Sequence, residues 1–152
     1  MTLEVRILGC GSSGGVPRLG EGAPNWGACD PENPKNRRSR CSILVTKRTG
    51  RGETRVLVDT SPDMREQLLA AKIGRLDAVL ITHDHADQLH GMDDLRVITI
   101  NMRRRLDLWS DRSGLNGACG VRHQGSASQM TGQGSHSILI IPPAADARGL
   151  AS

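Results

Sequence analysis

The 152-residue sequence contains neither phenylalanine nor tyrosine, and Trp26 and Trp109 are its only aromatic residues. Cores of this length ordinarily take much of their contact area from Phe and Tyr, so the composition reads as that of an incomplete domain. The shortage also removes the usual platform for single-stranded nucleic acid, in which bases stack on aromatics interleaved with basic residues. No apolar run approaches the length needed to span a bilayer, and "MTLEVRILGC" lacks the charged start and long apolar stretch of a secretory leader. Cys10, Cys29, Cys41 and Cys119 form no C-x2-C pair, which argues against a zinc ribbon or a disulfide framework and leaves free thiols. The expectation is a protein of the reducing cytoplasm with no membrane partner.

What is present suits one α/β domain. Lys and Arg total 20 against 16 Asp and Glu, a formal charge of +4, mildly favourable to an anionic substrate. "LEVRILG" (Leu3 to Gly9) alternates apolar and polar residues and enters the Gly/Ser-rich "GCGSSGGVPRLG" as a strand feeding a tight loop. "CSILVTK" and "TRVLVDT" read as a hairpin turning through "RTGRGE". "SPDMREQLLAAKIG" reads as a helix with Ser61 as N-cap, Pro62 at its first position and Gly74 at its close. "LDAVLIT" has the continuous apolar character of a buried strand, "DDLRVITINM" reads as a short helix, and "RLDLW" alternates again. The order β, ββ, α, β, α, β predicts a mixed sheet carrying helices.

From Ser110 to Ser152 there is no Lys, no Glu and no aromatic residue, while Gly, Ser, Gln and Ala dominate. Only "ILII" (Ile138 to Ile141) has the character of a strand. The chain is therefore read as residues 1–109 plus a low-complexity tail, 110–152, expected to be disordered. A sharper alternative is that the tail is out of frame: Ile138 to Pro143 can be encoded so that a shifted reading gives Ser-Tyr-Tyr-Pro.

The richest chemistry lies in "ITHDHADQLHG", Ile81 to Gly91, which holds three of the five histidines. His83 and His85 stand at i and i+2 on a segment leaving a strand, so on extended backbone both imidazoles point the same way and reach one ion. Asp87, two residues on, can reach a second ion or the water between. The blander alternative is a polar loop whose histidines cap a helix. Three histidines with two carboxylates directly after a buried strand favour the metal.

"THDHADQLHG" resembles the H-x-H-x-D-H signature of the metallo-β-lactamase superfamily, with Gln88 in the last histidine's place. "LGCGSSGGVPRLG", "CDPENPKNRRSRCSILV", "VLVDTSPDMREQLL" and "HGMDDLR" are similar to its phosphodiesterase branch, which includes cyclic-phosphate phosphodiesterases of phosphonate breakdown and ribonuclease Z. The resemblance covers Met1 to about Trp109. It implies an αββα sandwich, present here as an incomplete, N-terminal half plus an irregular tail. It further implies a two-metal Zn²⁺ site, with Mn²⁺ as the other candidate. His83 and His85 would ligate the first metal. Asp87 would ligate the second and orient a nucleophilic, metal-bound hydroxide, and Asp59 would support the metal loop by hydrogen bonding. Gln88, a neutral amide, replaces imidazole poorly and should weaken the second site; His90 on the next turn is the weaker candidate to compensate. His123, Asp146 and His136 do not have the order of the family's C-terminal ligands.

Other stretches carry less. "GCGSSGG" could cradle phosphate with backbone N–H groups, but reads better as a tight turn near the site. "PKNRRSR" and "MRRR" could meet substrate phosphates, though charge runs are usually solvated faces. Cys10 and Cys41 lack partners that would make either a nucleophile. The sequence thus reads as a metal-dependent hydrolase of a phosphodiester or other small ester. The alternative is a catalytically inactive fragment or small basic metal-binding or interaction protein, with homodimerisation a candidate way of covering the half-sandwich.

Overall fold

The computed structural model describes residues 1–22, residues 24–110 and the backbone of residues 136–140. Strand β1 (Thr2–Gly9) precedes a two-stranded ribbon of β2 (Arg18–Leu19) and β3 (Pro24–Asn25). The expected hairpin forms from β4 (Ser42–Thr49) and β5 (Gly52–Val58), but both strands extend into "RTGRGE" and leave only Gly50 and Arg51 as the turn. Helix α1 (Met64–Ala71), β6 (Ala78–Leu80), the one-turn α2 (Ala86–Leu89), α3 (Leu95–Met102), β7 (Leu106–Ser110) and β8 (His136–Ile140) follow. Six strands form one sheet in the order β1-β4-β5-β6-β7-β8. The central pairs β5/β6 and β6/β7 are parallel, and the outer pairs are antiparallel.

Parallel neighbours need crossovers, and α1 and α3 supply them. Both lie on the same face of the sheet. Leu44, Leu57, Val79, Leu106 and Leu108 project from the strands into one cluster with Met64 and Leu68 of α1 and Leu95 and Ile98 of α3. Among the described residues this is one α/β layer of the expected sandwich, an α/β mixed sheet with helices on one side.

Among the described residues the opposite face has no such cover. Register places Val5, Val45, Val56 and Ala78 in one row, and Ile7, Ile43, Val58, Leu80 and Trp109 in the next. Val5 and Ile7 are 58% and 67% exposed.

Several local boundaries differ from the sequence reading. Ser61 does not cap α1: the N-cap is Asp63, without a side-chain cap bond. Pro62 lies in the turn before the helix. The Ser61 hydroxyl instead accepts from the Asp63 amide and donates to Gln67 Oε1. The helix closes at Lys72, in left-handed conformation (φ 58°), before Gly74 is reached. The second helix begins later than "DDLRVITINM" suggests, because Met92–Asp94 form a 3-10 turn. The tail is not disordered throughout: Ser110 ends β7, and His136–Ile140, which include the first three residues of "ILII", pair with β7 as β8; the disorder and reading-frame expectations for residues 111–135 and 141–152 lie outside the described residues. Cys10, Cys29 and Cys41 are free thiols; Cys119 also lies outside. Among the described residues no helix is long and apolar enough to cross a membrane.

Candidate metal centre

The parallel strands β5 and β6 end side by side, and their carboxyl ends deliver the candidate residues. Ligand sites in α/β sheets characteristically form beyond such strand ends. Strand β5 runs out at Val58 into Asp59, and β6 at Leu80 into Thr82 and His83. The ends remain stitched together: the Asp59 amide donates to the Leu80 carbonyl at 2.8 Å, and the Ile81 amide to Trp109 at 2.8 Å.

Asp59 adopts left-handed backbone (φ 64°) and is buried, a conformation Asp tolerates better than most residues. This turn aims its carboxylate across the strand gap. Oδ1 accepts from the Thr82 amide at 2.8 Å, and the Thr82 hydroxyl lies 3.0 and 2.9 Å from the two carboxylate oxygens. The same hydroxyl lies 2.9 Å from His83 Nδ1. Asp59 therefore grips Thr82, at the start of the histidine loop, and reaches His83 through it.

His85 has extended backbone (φ −72°, ψ 147°) and serves as N-cap of α2. The His83 and His85 rings meet edge to face with centroids 4.6 Å apart. The turn before the next helix is not irregular all the way to Gly91: Ala86–Leu89 form α2, so Asp87, Gln88 and Leu89 lie on a helical turn. Asp87 is half-buried and accepts from Gln88 Nε2 at 3.0 Å. His90 follows as the C-cap and is exposed.

Gln88 is buried, at 6% exposure, and its Oε1 has no hydrogen-bond partner. An unmet buried acceptor costs about 1–3 kcal/mol. The Gln88 carbonyl, by contrast, is doubly held, by the Thr60 amide at 2.8 Å and the Thr60 hydroxyl at 3.1 Å. Gly91 completes the clasp by donating to the Thr60 carbonyl at 2.9 Å. Thr60 and Gly91 were not identified from sequence; the only local hint was a glycine directly after the last histidine of the cluster.

The donor set can be tested against a metal. Zinc–nitrogen bonds of about 2 Å put two imidazole nitrogens about 3–3.5 Å apart, within reach of rings 4.6 Å apart. The ring spacing leaves room for one ion shared by His83 and His85. Among the described residues, however, no group of three or more His, Cys, Asp or Glu is gathered so as to hold a metal. A two-metal centre does not fit these residues as they stand.

Several residues of the basic runs have protein partners. Arg40 pairs with Asp63 at 3.4 Å, Arg38 donates to Cys29 Sγ at 3.3 Å, and Arg37 covers the Trp26 ring. Arg104 and Arg75 both bind Asp77. The Gly/Ser loop is likewise zipped onto the 38–40 segment, through Gly11 to Ser39 and Val16 to Arg38. These contacts give both stretches structural partners.

With that geometry in place, likeness to known proteins is informative. Residues 54–139 match the family described as the beta-lactamase superfamily domain. The chain belongs to the metallo-β-lactamase superfamily, a family of metal-dependent hydrolases, and the matched stretch runs from β5 through the histidine cluster and past Trp109. It is similar to a diphosphatase of the PhnP family, whose crystal structure superposes with a TM-score of 0.65 at 32% identity, over 79% of this chain and 47% of that one. Over 79 residues it is 37% identical to ribonuclease Z of Bradyrhizobium sp., covering 51% of this chain and 25% of that protein. Over 110 residues it is 41% identical to an octanoyltransferase of Porphyromonas gingivalis, covering 72% of this chain and 21% of that protein. The chain thus spans 21–25% of the length of these curated relatives.

Proposed function

We propose that this chain carries the first half of a metal-dependent phosphodiesterase site, with His83 and His85 as the ligands of one Zn²⁺ ion. The observation that carries the reading is the paired His83 and His85 rings at the end of β6, the first of them braced by Asp59 through Thr82. When bound, such an ion polarises phosphoryl oxygens and lowers the pKa of water to about 7. The chain's own groups do the positioning. Asp59 and Thr60 anchor the loop at both ends, and Asp87 offers a carboxylate that can orient the attacking water and accept its proton. The formal charge of +4 favours approach of an anionic ester.

One observation favours a second reading, a metal-binding protein without turnover: the described residues gather no three-donor group. Hydrolysis of bis(p-nitrophenyl) phosphate by the zinc- or manganese-supplemented chain separates the two. Metal-dependent turnover that disappears in His83→Ala and His85→Ala is the expected result. Stoichiometric metal with no turnover would give the second reading the field.

A further inference from the structure

We propose that Thr82 is a positioning residue that fixes the tautomer of His83, keeping the proton on Nδ1 and leaving the Nε2 lone pair open. The Thr82 hydroxyl has one hydrogen and three polar neighbours: Asp59 Oδ1 at 3.0 Å, Asp59 Oδ2 at 2.9 Å and His83 Nδ1 at 2.9 Å. A carboxylate only accepts, and a neutral imidazole has one donor and one acceptor nitrogen. If the hydroxyl pointed its hydrogen at His83, its lone pairs would face both carboxylate oxygens at hydrogen-bond distance with no proton between. If it donates to Asp59, both contacts are satisfied and the hydroxyl oxygen remains an acceptor. His83 Nδ1 must then be the donor.

The relay is held in place by backbone. Asp59 is buried, and its left-handed turn and the 2.8 Å bond from the Thr82 amide fix the carboxylate against Thr82. Of the two histidines only His83 is coupled in this way: among the described residues the His85 ring makes an aromatic contact but no hydrogen bond. The sequence has an acidic residue at one strand end and a threonine at the next; the fold turns them into a chain ending on one ring nitrogen. The consequence for catalysis rests on the metal reading above, because an ion takes the unprotonated nitrogen and the partner of the other nitrogen decides which that is. The tautomer itself does not depend on any metal.

The test is long-range ¹H–¹⁵N correlation NMR of the full chain, stripped of metal, at about pH 8.5, where an ordinary histidine (pKa about 6.5) is neutral. In the parent, His83 is expected to show a protonated Nδ1 and an unprotonated Nε2. Thr82→Val, which keeps the shape and removes the hydroxyl, should move the ratio toward the other tautomer by about fivefold, the worth of one ordinary hydrogen bond. Thr82→Ser should restore the parent pattern, and His85 should not change in any variant. A parent His83 protonated mainly on Nε2, or a ratio unmoved in Thr82→Val, overturns the proposal. Should Thr82→Val fail to fold, the parent and Thr82→Ser spectra decide. A zinc titration of the same sample keeps the two ideas apart: the Nδ1–H form without zinc uptake leaves the relay standing and removes the metal reading.

Discussion

The amide of Gly91 donates to the carbonyl of Thr60 at 2.9 Å, and the backbones lie so close that a Cβ at position 91 would fall 1.9 Å from the Ser61 carbonyl oxygen. No rotamer relieves such a contact, because the obstacle is main chain. Gly91→Ala must therefore push α2 and the histidine loop away from the Asp59–Ser61 turn. The expected cost is about 2–3 kcal/mol, at the upper end for forced overpacking, read from urea unfolding. A variant with parental stability would show that the clasp between these segments is loose.

Gln88 sits at the last position of the motif with its Oε1 unmet and its Nε2 on Asp87. Gln88→His replaces an amide by an imidazole at a buried site beside a carboxylate. We expect more zinc per chain in equilibrium dialysis, since imidazole nitrogen is the better zinc donor. Unchanged stoichiometry would indicate that His90, or another group, already fills the place.

Asp77 ties β5 to β6 by accepting from the Arg55 amide at 2.8 Å, and it binds Arg75 and Arg104. Burial alone would raise its pKa; the Arg55 amide and the two guanidiniums together outweigh that and hold it below 3.8. A depressed folded value means stability that is fully present above the unfolded pKa and lost as pH falls through the folded one. The stability difference between the parent and Asp77→Asn should therefore be constant above about pH 5 and shrink on acidification below 3.8. A difference that does not change with pH would place the residue's effect in packing instead of charge.

The second face of the sheet predicts its own behaviour. Two rows of aliphatic side chains ending at Trp109 form a contiguous apolar surface, of the kind that binds dye or a partner. The chain is expected to enhance ANS fluorescence or to self-associate in gel filtration. Replacing Val5 and Ile7 by Thr should reduce either signal while changing stability by no more than about 0.5 kcal/mol, because both side chains face solvent. A monomer that binds no dye would show that this face is covered in solution.

These relationships differ in how far they could be read from sequence. The β4–β5 hairpin, β6 and the β8 segment announce themselves by apolar or β-branched runs and short turns, which are local signals, but the continuous apolar run did not tell that only Val79 of β6 is buried. The histidine cluster is equally local, and Asp59 stands out at the end of "VLVD". The clasp is not legible in the same way. Thr60 meets Gln88 across 28 positions of sequence and Thr82 meets Asp59 across 23, and no periodicity encodes such pairs. Ser61 misled for a related reason: its N-cap chemistry is genuine, but Gln67 and the Asp63 amide claim its hydroxyl and the helix starts later. Helix α2 was missed because four residues carry too little pattern to distinguish one turn from a loop.

The central claim is that His83 and His85 hold a metal together. Elemental analysis of the purified chain after zinc loading and desalting, beside the His83→Ala, His85→Ala and double variants, tests it most directly. The account predicts zinc bound by the parent, most of it lost in either single variant and none retained in the double. A double variant that keeps zinc like the parent would contradict the ligand assignment and, with it, the proposed hydrolytic site.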